Sequence, residues 1–133
     1  MTARNDTRAL MQQLGARGIS LSFDEVNTLR RAQITLHRWA ELECGDGNDY
    51  ASWSIERDEA TDIPYMCRYP HDGEMHRTRI ADREKGAIRR VSHICAHHKL
   101  DFYHQTDPRG CALYVSNEPL KDNDYNRGVA CCA

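Results

Sequence analysis

No apolar run in the chain approaches the roughly 20 residues that a membrane-spanning helix needs, so a bilayer-spanning architecture is not expected. Charge of one sign is also missing. The 18 basic and 20 acidic side chains leave a formal net charge of −2, so the molecule as a whole exerts no general pull on nucleic acid or anionic lipid. Lysine is scarce, since 15 of the 18 bases are arginine. That choice suits bidentate recognition of carboxylate or phosphate, and a GC-rich genome produces it with no functional cause. The chain has no glycine-rich phosphate loop, nucleophile elbow or paired-cysteine knuckle. The usual signatures of nucleotide binding, acyl transfer and structural zinc are therefore lacking. The opening residues Met1-Thr2-Ala3-Arg4-Asn5-Asp6 are polar and lead into no signal-like apolar run. The expectation is a cytosolic chain whose six cysteines are reduced thiols rather than disulfides.

The rest of the composition is that of a globular domain. With 133 residues, 40% of them apolar and 29% charged, the chain has material for a single domain over 1–133. A chain of this size buries roughly two thirds of its unfolded surface without covalent staples. Thr7 to Leu14 reads as a short helix that Gly15 and Gly18 stop, making residues 1–20 a helical lid. Ser22-Phe23-Asp24-Glu25 is a capping box opening a longer helix to about Cys44, with Val26, Leu29, Ala32, Leu36, Trp39 and Ala40 on one apolar stripe. Gly45 ends it.

Period-two alternation then takes over. Ala51, Trp53 and Ile55 mark a strand with one buried face, and Tyr65 to Tyr69 its hairpin partner across the acidic connection Asp58 to Asp62. Residues 70–76 read as an exposed loop. A second long helix is expected from Asp82, as N-cap, to about Lys99, with Ala87, Val91, Ile94 and Cys95 inward. A hairpin follows, Phe102 to Gln105 with Cys111 to Val115, around the type I turn signal Asp107-Pro108-Arg109-Gly110. Residues 117–133 read as a mostly irregular tail, with a short edge strand at Val129 to Cys132. The order α-α-ββ-α-ββ predicts an α+β fold, its helices packed on one face of a small antiparallel sheet.

Four kinds of chemistry compete for the polar residues. Cys95, His97 and His98, and separately His37, Glu41 and Cys44, offer metal-ligand types at short spacing. Adjacent His97 and His98, however, point about 100° apart on a helix. His104 and Cys111 are the one thiol–imidazole pair that a hairpin would bring together for catalysis, with no oxyanion site beside them. Arg83, Lys85, Arg89 and Arg90 make the second long helix basic, and Tyr65, Tyr69, Tyr103 and Tyr114 supply stacking surfaces, as a nucleic-acid module requires. The fourth is a protein partner. The polar turns at 41–48 and 105–110 carry more acid and amide than chain reversal needs. Glu41, Glu43, Asp46, Asn48, Gln105, Asp107 and Arg109 there, with Asp58, Glu59 and Asp62 of the acidic connection, are the candidate contact residues.

Leu36-His37-Arg38-Trp39, the run Glu41 to Asn48 and the run Gln105 to Tyr114 resemble segments of a group of small proteins encoded by bacteriophages and prophages. The likeness covers about two thirds of the chain. No activity is assigned to that group, so no catalytic, cofactor or metal residue is carried over. The resemblance implies an accessory protein in the host cytoplasm that acts by occupying a host macromolecule, as anti-CRISPR and other anti-defence inhibitors do, without a cofactor. Binding ranks above the nucleic-acid reading and above a small cysteine/histidine or metal-dependent enzyme. The terminal strand offers an edge through which two copies can pair.

Overall fold

The computed structural model describes residues 3–44, 50–105, 111–118 and 128–130. Helix α1 (Ala3–Ala16) is longer than the periodicity of Leu10 and Leu14 alone predicts, and α2 (Phe23–Cys44) has the predicted bounds. The capping box forms at its start: the Ser22 N–H donates to Glu25 Oε1 at 2.9 Å and the Glu25 N–H donates to Ser22 Oγ at 3.2 Å. Each bond satisfies a backbone donor that the first turn would otherwise leave open. The stripe of α2 is buried as expected, with Val26, Leu29 and Leu36 fully enclosed, each contributing about 1.5–3 kcal/mol of apolar burial. Asp6 of α1 meets Arg30 of α2 at 3.6 Å, an ion pair that fixes the lid on the longer helix.

Strands β1 (Tyr50–Arg57) and β2 (Pro64–Pro70) form the first hairpin. A third strand, β3 (His76–Arg79), follows where the sequence suggested only the end of a loop. It pairs antiparallel with β2 but contributes little to the core, because three of its four residues are exposed. That is why its apolar alternation is invisible. Asp82 does not cap the next helix. It opens a 3₁₀ turn (Asp82–Glu84), and α3 (Lys85–His98) starts one turn later with Glu84 at its N-cap and no side-chain cap. The Asp82 carboxylate is instead held by Lys85 at 3.0 Å and Arg79 at 3.6 Å. Those two cations, Lys85 first, hold its carboxyl below the usual aspartate value.

After α3 come β4 (Asp101–Gln105), β5 (Cys111–Leu113), β6 (Val115–Ser116) and β7 (Val129–Ala130). The predicted second hairpin splits in two. β4 pairs with β6, Phe102 opposite Val115, whereas β5 turns away to pair with β7. The terminal edge strand therefore exists and is β5's partner. The main sheet runs β3-β2-β1-β4-β6, entirely antiparallel. Met66, Trp53, Phe102 and Val115 belong to the single core cluster to which all three helices contribute. Glu56, Tyr69, Arg77 and Arg79, which alternate with the inward residues of their strands, are exposed. The fold is thus the expected α+β layer.

Among the described residues, no helix is long and apolar enough to cross a membrane. Cys67 and Cys95 are buried thiols outside any disulfide. Asp46, Asn48, Asp107 and Arg109, the type I turn at 107–110, and the irregular tail over 119–127 lie outside the described residues.

Candidate functional site

Two of the segments singled out in the sequence meet at one end of the sheet. The C-terminal half of α2 carries Gln33, His37 and Glu41 at four-residue steps, which stacks them along one side of the helix. β4 ends in His104 and Gln105, against Trp53 and Ser52 of β1. The His37 and His104 rings stack at 4.2 Å between centroids and 27° between planes, and His104 stacks on Trp53 at 5.3 Å and 13°. Tyr114 closes an edge of the His104 ring at 5.1 Å. On the outer side, His37 Nε2 lies 2.9 Å from Glu41 Oε1.

Gln33 organises the inner side. The Tyr114 N–H donates to Gln33 Oε1 at 3.1 Å, which fixes the orientation of the amide. Gln33 Nε2 then donates to the Tyr103 carbonyl at 2.8 Å and to His104 Nδ1 at 3.0 Å. Because Nδ1 accepts, the neutral His104 carries its proton on Nε2. Burial first, and the neighbouring His37 second, push the His104 pKa down to about 3. The side chain is a neutral structural ring at neutral pH. One polar residue in the middle of an apolar helical stripe thus ties α2 to β4 and to the residue before β6. Its place between Leu29 and Leu36 was the signal for it in the sequence.

Of the described candidate contact residues, Glu41 lies beside the His37–His104 stack and Gln105 follows His104 on β4, while Asp58, Glu59 and Asp62 follow the Arg57 end of β1. Glu41 is half-exposed and braced by His37. Glu43 is exposed and paired with Arg83. Gln105 is 8% exposed, opposite Ser52, and its Oε1 has no partner among the described residues. Past the Arg57 end, Asp58 Oδ1 accepts the N–H groups of Ala60 and Thr61 at 2.9 and 3.2 Å, as an aspartate closing its own turn does. Asp62, at φ 59°, pairs with Arg57, and Glu59 faces solvent.

The other constellations are taken up by packing. Cys95 faces the core, its pKa raised to about 12 by burial and by Asp101, and His98 Nε2 lies 2.7 Å from Glu25 Oε2. The His97 and His98 rings meet edge to face at 4.8 Å. Cys67 donates to Glu56 Oε2 at 3.2 Å, and burial followed by that contact raises its pKa to about 11. Both thiols stay protonated at neutral pH, which removes their nucleophilicity. No group of three His, Cys, Asp or Glu side chains among the described residues is arranged to hold a metal ion. Cys111 leaves on β5 while Nδ1 of His104 is engaged by Gln33.

On the basic helix, Arg83 is taken by Glu43 and Glu84, and Lys85 by Asp82. Arg89 and Arg90 are exposed with no ion pair among the described residues. Of the tyrosines, Tyr103 and Tyr114 are buried and edge-on to each other at 5.5 Å. Tyr65 lies under the Arg77 guanidinium at 3.8 Å, and Tyr69 is exposed.

Fold and site together define an α+β protein with a rigidly mounted polar corner. Compared with known proteins, the chain matches no family model, no curated protein and no solved structure.

Proposed function

We propose that the chain is a phage or prophage accessory protein that binds a host protein without catalysis, in the manner of anti-CRISPR and other anti-defence inhibitors in the host cytoplasm. The resemblance at Leu36–Trp39, Glu41–Asn48 and Gln105–Tyr114 supplies the context. The observation that carries the reading is the His104 ring, on which His37 stacks and against whose edge Tyr114 packs, so that two of those segments share one corner. Glu41 stands there half in solvent with its carboxylate held by His37. A charged group already fixed in position gives up little rotamer freedom on association, so more of its interaction energy appears as affinity.

The inert state of Cys67 and Cys95 and the neutral, enclosed His104 favour binding over chemistry. Nucleic acid is the second reading, favoured by Arg89 and Arg90. Against it, Arg83 and Lys85 spend their charge on Glu43 and Asp82, which flattens the field that a phosphate backbone would feel.

The test is capture of partners from a bacterial lysate by the immobilised chain, followed by reconstitution with the purified partner. The expected result is a 1:1 complex that Glu41→Lys weakens at least tenfold while the variant keeps its fold. A salt-dependent mobility shift of labelled DNA or RNA, with no protein complex formed, would transfer the function to the nucleic-acid reading.

A further inference from the structure

A pocket of about 170 Å³ opens where the β1–β2 connection meets the first turn of α3. Its apolar lining is Ile63, Pro64 and Ile88; its charged lining is Arg57, Lys85 and Arg89, against the single carboxylate of Asp62. Thr61 adds a hydroxyl-bearing residue to the wall. Three cations and one anion leave the lining a formal charge of +2 in a protein whose total is −2. From these residues we infer a binding pocket for a phosphate-type oxyanion, free or as the terminal group of a monoester.

Charge arrangement carries the inference. Lys85 and Arg89 stand at i and i+4 on α3, where like charges repel. Lys85 is already offset by the exposed Asp82, whereas Arg89 has no ion pair among the described residues, so an anion here relieves the repulsion that remains. Arg57 reaches the same space from the end of β1, and its partner Asp62 is three-quarters exposed, so a stronger anion can take its place at low cost. Lys85 keeps Asp82 at 3.0 Å, which leaves the guanidinium forks of Arg57 and Arg89 as the main recognition groups. Such forks match the paired oxygens of phosphate. Once the exposed Asp62 is displaced, a dianion matches the two guanidinium charges of Arg57 and Arg89, and a single carboxylate does not. The volume is well below the 300–1,000 Å³ typical of drug-sized ligands, which limits the occupant to one compact polar group. Apolar Ile63, Pro64 and Ile88 lower the local dielectric and strengthen the attraction.

The experiment titrates the ¹⁵N-labelled full chain with inorganic phosphate in one arm and glycerol phosphate in the other, at constant ionic strength set with sodium chloride. Saturable amide shifts at Thr61, Asp62 and Lys85–Arg89 in either arm support the pocket, and the arm with tighter binding tells a free anion from a monoester group. Arg89→Gln is expected to weaken the binding at least tenfold. Arg90→Gln removes the same charge from the next exposed position, outside the pocket lining, and should change it less than twofold. Unsaturable shifts, shifts scattered over the surface, equal effects of the two variants, or binding only to polynucleotide and not to the monoester would each overturn the assignment. Should Arg89→Gln fail to fold, the wild-type shift map decides alone.

Discussion

Lys99 ends α3 in the left-handed region, at φ 56° and ψ 51°, with its N–H donating to the Cys95 carbonyl. Leu100 N–H donates to the same oxygen at 2.9 Å, so two donors serve one carbonyl that the helix end would leave open. For a residue with a Cβ this conformation costs about 1 kcal/mol or more. Glycine occupies it without that penalty, though it gives up more freedom on folding. Lys99→Gly is therefore expected to raise stability by about 0.5–1 kcal/mol, a rise of roughly 2–4 °C in Tm for a chain of this length. Thermal unfolding checks it, and an unchanged or lower midpoint would show that the exposed lysine supplies a contact worth more than the strain. The same conformational argument applies at Asp62, φ 59°, with a difference. There the side chain closes onto Arg57, and replacing it would remove the ion pair together with the strain.

At the scale of elements, the position of β7 depends on Gly128. A Cβ at that residue would lie 2.5 and 2.7 Å from two ring carbons of Tyr114 and 3.1 Å from Cys111 Cβ. Tyr114 cannot retreat, because it is 1% exposed and backed by Tyr103 and His104. Gly128→Ala should cost about 1–3 kcal/mol by overpacking. The β5–β7 ribbon should loosen before the main sheet does, seen as faster amide exchange at Leu113 and Val129 than at Phe102. Uniform exchange across both sheets would refute that order.

The same ribbon shows where the sequence was legible and where it was not. α2, with its capping box and three-four spacing, and β1, with its alternation around Trp53, are elements whose own residues state the period, and their bounds came out within a residue or two. The hairpin after α3 reads as one unit because Cys111 to Val115 alternates without a break. The split at Tyr114 depends on Gln33 accepting that residue's N–H and on Gly128 lying against its ring, which are contacts with residues 81 and 14 positions away. β3 leaves no mark in the sequence for the opposite reason, having an exposed edge with no apolar pattern. In the candidate site, Glu41 and His37 were legible as an i, i+4 pair. The stacking of His37 on His104 joins α2 to β4, and spacing along one element carries no information about it.

His104 couples the stability of the whole molecule to acid. Folded, its pKa is pushed to about 3, against the ordinary value of 6.5, so between those values the unfolded chain binds a proton that the folded one refuses. Stability from this group is complete above about 6.5 and declines as the pH falls toward 3, at up to about 1.4 kcal/mol per pH unit. The groups that face the ring are neutral or shared: Trp53 and Tyr114 on one side, Gln33 on Nδ1, and His37 with Glu41 behind it. None offers a carboxylate directly to His104, so protonation finds no compensation. Glu25 has its carboxyl held below the usual 4.5, first by the Ser22 N–H and also by His98. Its own contribution is present above 4.5 and is lost only as the pH falls through that lower folded value, below the interval from about 5 to 6.5 in which His104 acts. His104→Gln keeps an acceptor for Gln33 and removes the titration. Chemical denaturation of both forms across that interval is expected to show the wild type more stable at pH 7, with the gap narrowing steadily as acid is added. A gap that stays constant down to pH 5 would mean that His104 takes up its proton as readily in the fold as in the unfolded chain, and that packing does not hold the ring neutral.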